Sequence, residues 1–176
     1  MRAYSIAFAL LLFSTSLLAQ PQTASPDAML LEAVREDLPN VAEYELTGGR
    51  FEPVLRDDVD GEVSRIVLTT GKIYYDLVAA RTSPVPIVRL EQFYPFPQPM
   101  IVSALQQYPN ATEIVWVQEE PRNMGAWPFL HDRLPSLLSQ NQTLRYVGRP
   151  ISASPATGSH HRHEEQQRAI VESAIG

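Results

Sequence analysis

The stretch that most constrains the fold is Ile114-Val115-Trp116-Val117, four bulky apolar residues in succession inside Glu113 to Gln118. A strand points alternate side chains to opposite faces, so an unbroken apolar run of this kind must be covered on both sides. That requirement calls for a sheet sandwiched between helices. From Arg65 onward the rest of the chain agrees, because short β-branched runs alternate with segments of helical periodicity.

Ile66 to Thr70 reads as the first buried strand. Gly71 then permits a turn, and Lys72 to Arg81 brings Ile73, Leu77 and Val78 onto one helix face. Val85 to Leu90 follows as the second strand. Pro95, Pro97 and Pro99 keep the chain extended before Met100 to Gln107 forms a helix with Pro99 near its first turn. Beyond the third strand at Glu113 to Gln118, Pro128 to Leu138 is expected to be a helix that Pro135 kinks or shortens. Leu144 to Val147 reads as a fourth strand, Gly148 to Gly158 as irregular chain, and Ser159 to Ile175 as a terminal helix. With 176 residues, 44% of them hydrophobic, the chain can bury one sizeable core but not two. No internal repeat is present.

The first segment has the layout of an address. Arg2 supplies a positive start, Ser5 to Ala19 is an apolar run of about 15 residues, and Gln20-Pro21 ends it. Such a run is short of the roughly 20 residues that span hydrocarbon, which argues for a secretory leader rather than a stable membrane anchor. Cleavage is expected after Ala19, although Leu17 is larger than the small residue preferred there. A buried helix of the domain is the competing reading, and a mitochondrial presequence fits worse because only one Arg precedes residue 35. Residues 20–47 have linker composition around a short amphipathic helix, Ala28 to Leu38, with Asp27 as its cap and Pro39 as its stop.

The formal net charge of -6 argues against a nucleic-acid partner. With no cysteine the chain has no disulfide framework, thiolate nucleophile or cysteine-ligated zinc. Ligands of a parallel sheet gather at the carboxyl ends of its strands, so Gly71-Lys72, Arg89 to Pro97 and Gln118 to Trp127 are the segments to inspect. Glu119 and Glu120 point in opposite directions in extended chain and therefore cannot share one substrate atom as an acid-base pair. Gly71-Lys72 could hold an anion, but no glycine-rich fingerprint surrounds it. His160, His161 and His163 with Glu164 and Glu165 suggest a metal site, yet no ligand motif supports one, and none is assigned. No G-x-S-x-G elbow is present for a serine hydrolase. Trp116 reads as core; Trp127, on a loop, reads as packing or as an interface anchor.

Four longer strings carry a resemblance. They are TTGKIYYDL at Thr69 to Leu77, VRLEQFYPFP at Val88 to Pro97, WVQEEPRNMGAW at Trp116 to Trp127, and LRYVGRPISASPATGSHHRHEEQ at Leu144 to Gln166. In that order they resemble the C-terminal domain of the thiamine-diphosphate-dependent, decarboxylating component of 2-oxoglutarate dehydrogenase, over about residues 48–176. The resemblance implies a transketolase-type α/β domain, a three-layer sandwich with a mostly parallel sheet, that helps to build a homodimer. In the family, thiamine diphosphate and magnesium sit between two preceding domains, and the succinyl group passes to a dihydrolipoyl succinyltransferase core. No catalytic residue and no cofactor is therefore assigned to this chain, whose expected partners are those domains, a second subunit and the succinyltransferase core.

Some relatives bind an allosteric acetyl-CoA or adenine nucleotide partly through this domain, which singles out Lys72, Gln118 and Arg149, the last for charge-assisted contacts to phosphate. The family works in the cytoplasm or mitochondrial matrix, at odds with a secretory leader. Two expectations follow: a structural and dimerisation domain of the dehydrogenase, or an exported module recruited from it to bind a small anion or a protein.

Overall fold

A computed structural model describes residues 51–176, and in it Ile114 to Val117 are each without solvent exposure. The chain runs through β1 (Val54–Leu55), β2 (Arg65–Thr69), α1 (Ile73–Ala80), β3 (Ile87–Leu90), α2 (Gln98–Gln106) and β4 (Glu113–Pro121). It continues through α3 (Trp127–Leu130), a 3-10 turn (Leu134–Leu137), β5 (Thr143–Arg149) and α4 (His160–Ile175). The sheet order is β1-β3-β2-β4-β5, with β3, β2, β4 and β5 parallel and β1 antiparallel against β3. The expected leader, the linker and the Ala28 to Leu38 helix lie outside the described residues.

Strand alternation divides the core in two. Ile66, Leu68, Val88, Leu90, Ile114 and Trp116 pack on one face with Ile101, Ala104 and Leu105 of α2, Leu130 of α3 and Leu134. On the other face Val67, Ile87, Val115, Val117 and Val147 meet Ile73 and Leu77 of α1 and Ile170, Ala174 and Ile175 of α4. Helices therefore cover both sides of one sheet, giving three layers. Each fully buried Ile or Leu contributes roughly 1.5–3 kcal/mol, so the two helical layers are held chiefly by these stripes.

Two expectations need correction. Pro128 to Leu138 is not one helix: α3 stops at Leu130, and a separate 3-10 turn holds Pro135 in its first residues. Proline lacks the N–H that would bond back one turn, and its ring clashes with that carbonyl, so the helix ends before it. The sheet also begins one strand earlier than expected, at β1. A two-residue edge strand leaves no periodicity to find.

At the amino ends of the strands an ionic cluster ties β2, β4 and β5 to the end of α4. Arg65 and Arg145 each donate Nε to Glu113 at 2.5 Å. Arg65 also donates to the carbonyls of Ala174 at 3.1 Å and Gly176 at 2.6 Å, and Arg145 to that of Ser173 at 3.2 Å. Burial works to raise the Glu113 carboxyl, but hydrogen bonds and charge from Arg145 and Arg65 outweigh it and hold the group below its ordinary range.

Candidate functional site

Connections part at the opposite end of the sheet. After β2 the chain crosses to β3 through α1 on one face, and after β4 it reaches β5 through α3 on the other. The crevice between the carboxyl ends of β2 and β4 is therefore the place where a parallel sheet offers a binding site. Gly71, at φ +72, makes the turn out of β2 and delivers Lys72 to the start of α1.

Glu119 organises the side of this crevice that faces α1 and α4. Lys72 Nζ lies 3.6 Å from its carboxylate, and the Gln167 amide on α4 donates to the same carboxylate at 2.9 Å and to Asp76 on α1 at 2.9 Å. Arg149, at the end of β5 and only 8% exposed, donates to the Glu119 carbonyl at 2.7 Å and to Gln167 at 3.3 Å. Its other contact is His163 Nδ1 at 3.0 Å; because a guanidinium only donates, that ring nitrogen accepts. Lys72 thus touches the carboxylate of Glu119, and Arg149 its main-chain carbonyl.

Gln118 does not join them. It points to the other face with no exposure, and its carbonyl oxygen accepts from Trp116 Nε1 at 3.0 Å and from the Trp127 N–H at 2.9 Å. Its amide donates to the carbonyls of Glu120, Pro121 and Met124 at 3.2, 3.2 and 2.8 Å. The residue pins the turn after β4 and has no capacity left over. Gly125 is needed in that turn: at φ +66, a Cβ there would stand 2.9 Å from Glu120 Oε2 and 3.0 Å from Gln118 Nε2.

The same alternation separates Glu119 from Glu120. Glu119 faces α4, whereas Glu120 lies beside Gly125 on the opposite side. The histidines diverge too. His160 pairs with Glu164 and His161 with Glu165, each at 3.5 Å and exposed, while His163 turns inward to Arg149. Among the described residues no three His, Asp or Glu side chains converge as metal ligands.

On β3, Arg89 donates to the Tyr75 hydroxyl at 2.9 Å, lies 2.7 Å from Glu91 and sits over the Tyr74 ring at 4.7 Å. Sequence reasoning passed over Gln167, since a glutamine in a charged helix carries no chemical signal. The clue was its position four residues after His163, which puts both on one helix face. Chemically, the crevice can exchange partners at Lys72: that side chain is 70% exposed, and such an ion pair is worth only about 0–1 kcal/mol.

The family model described as 2-oxoglutarate dehydrogenase C-terminal matches residues 41–175. The 2-oxoglutarate dehydrogenase E1 component of Cupriavidus necator is 44% identical over 138 residues, which make up 74% of this chain and 14% of that protein. The corresponding component of Haemophilus influenzae is 42% identical over 138 residues, 74% of this chain and 15% of that protein. The chain spans about one seventh of the length of these curated relatives. A solved structure described as a split gene transketolase, inactive beta4 tetramer, is similar with a TM-score of 0.47 and 15% identity, covering 72% of this chain and 44% of that one.

Proposed function

The chain belongs to the 2-oxoglutarate dehydrogenase C-terminal family, and from that premise we propose that its role is structural. It acts as the domain that completes a decarboxylating component, seated against the domains that hold thiamine diphosphate and magnesium and against a second subunit. Decarboxylation of 2-oxoglutarate and transfer to a succinyltransferase core belong to that larger assembly, and this chain contributes no reacting group. The family match over residues 41–175 carries the reading. Two exposed aromatics support it: Phe51 at 63% and Tyr94 at 90% exposure offer apolar surface of the kind that partner domains cover.

The test is complementation. A dehydrogenase component of the Cupriavidus necator type, lacking the stretch that this chain resembles, is mixed with the chain. Recovery of 2-oxoglutarate decarboxylation and co-elution of the two proteins are expected. Mixtures that stay inactive, with the proteins eluting apart, overturn the proposal.

A regulatory role is the second reading, favoured by the meeting of Lys72 and Arg149 at Glu119. An acyl-CoA or adenine nucleotide would engage these cations through its phosphates by displacing Glu119 from Lys72. Arg149→Ala should then weaken acetyl-CoA binding, measured by calorimetry; equal binding by the two proteins rules the site out. The exported small-anion module draws on the same two cations, and its leader falls outside the described residues.

A further inference from the structure

The geometry points to a strand-addition groove between the outer edge of β5 and α4, suited to an extended, acidic polypeptide segment that would pair as a sixth strand. This goes beyond the structural role above and does not depend on it. β5 closes the sheet order and pairs only with β4 among the described residues, so its other edge presents backbone N–H and C=O groups without strand partners. The opposite edge of the sheet is blunted, since β1 is only two residues long. β5 runs for seven residues with no proline or lysine, and Pro150 follows only after its end.

A groove of about 280 Å³ follows that edge. One wall is the continuous run Tyr146 to Pro150, and the other is Gln166, Ala169, Ile170 and Ser173 of α4. Ala169 and Ser173 are small and exposed, which leaves room beside the strand for the alternate side chains of an incoming segment. Arg149 Nε and Gln166 Oε1 are buried without a hydrogen-bond partner, and both residues stand in these walls. An edge strand beside a helix that leaves room for a further strand is the arrangement by which folded domains capture extended peptides.

Charge selects the occupant. Of the residues that line the groove only Arg149 is charged, no acid stands among them, and its hydrogen bonds go to a carbonyl, an imidazole nitrogen and an amide oxygen rather than to a carboxylate. A second copy of β5 would bring a second Arg149 to this edge, whereas a segment bearing Asp or Glu is attracted.

The test uses the full chain and two short acetylated peptides, one alternating valine with glutamate and the other valine with lysine. The glutamate peptide should bind and slow hydrogen exchange at the β5 amides, and the lysine peptide should bind at least roughly tenfold more weakly. Ala169→Trp fills the groove from an exposed position, so it should weaken the glutamate peptide roughly tenfold or more with the melting temperature unchanged. Three results overturn the proposal: no protection of β5, equal binding by the two peptides, or self-association of the chain that Ala169→Trp abolishes, which would make a second copy the occupant.

Discussion

The two ends of the parallel strands, on the face that α4 covers, use similar residues for opposite purposes. At the amino ends Glu113 takes two guanidinium donors at 2.5 Å, and the same arginines hold the last carbonyls of α4. At the carboxyl ends Glu119 takes one amide at 2.9 Å and a lysine at 3.6 Å that is mostly in water. The carboxylates are six residues apart on one strand, and their partners decide which of them can let go. One end is locked and the other can exchange.

The largest test of this contrast lies just beside the open site, on the sealed face. Gln118→Ala would strand the Trp116 and Trp127 N–H donors along with the Met124 carbonyl, and should cost about 3 kcal/mol in a urea unfolding series. Glu113→Ala leaves two partly buried arginines facing each other and is expected to cost about 2 kcal/mol in the same series. The pH dependence of that loss sharpens the comparison. Since the Glu113 carboxyl titrates lower in the folded chain, the unfolded chain binds more protons across that range, and stability rises with pH there. The stability gap between the parent chain and Glu113→Gln should be full at pH 7 and shrink as the pH falls through the carboxylate range; a gap that widens in acid would show that the cluster does not hold Glu113 ionised. Smallest of all, Lys72→Ala should shift stability by less than about 0.5 kcal/mol. A larger loss by urea unfolding would break the distinction between the two ends.

Much of the architecture was legible because apolar pattern and strand cover are one fact seen twice. Ile114 to Val117 demanded two helical layers, and the structure supplies α2 and α3 on one side, α1 and α4 on the other. The helix at Pro128 was overdrawn because its periodicity continues through Pro135, while the missing backbone donor there ends it. At the site, alternation correctly separated Glu119 from Glu120. Applied one residue earlier, the same rule also parts Gln118 from Lys72 and Arg149, which their shared polarity had grouped together. Gln167 and Asp76 reach the crevice from different helices, and no local pattern announces a meeting between residues 91 positions apart.

The Arg65 contact with Ala174 spans 109 positions of the chain, and this has a consequence in time. Synthesis proceeds from the amino end, so β2 and β4 can pair while α4 is still inside the ribosome. Until it emerges, Val115, Val117 and Val147 have no cover from that helix, and Arg65 has no carbonyl to grasp. The nascent domain therefore carries one finished layer and one sticky one, and chaperones should engage it in the interval before its final sixteen-residue helix docks.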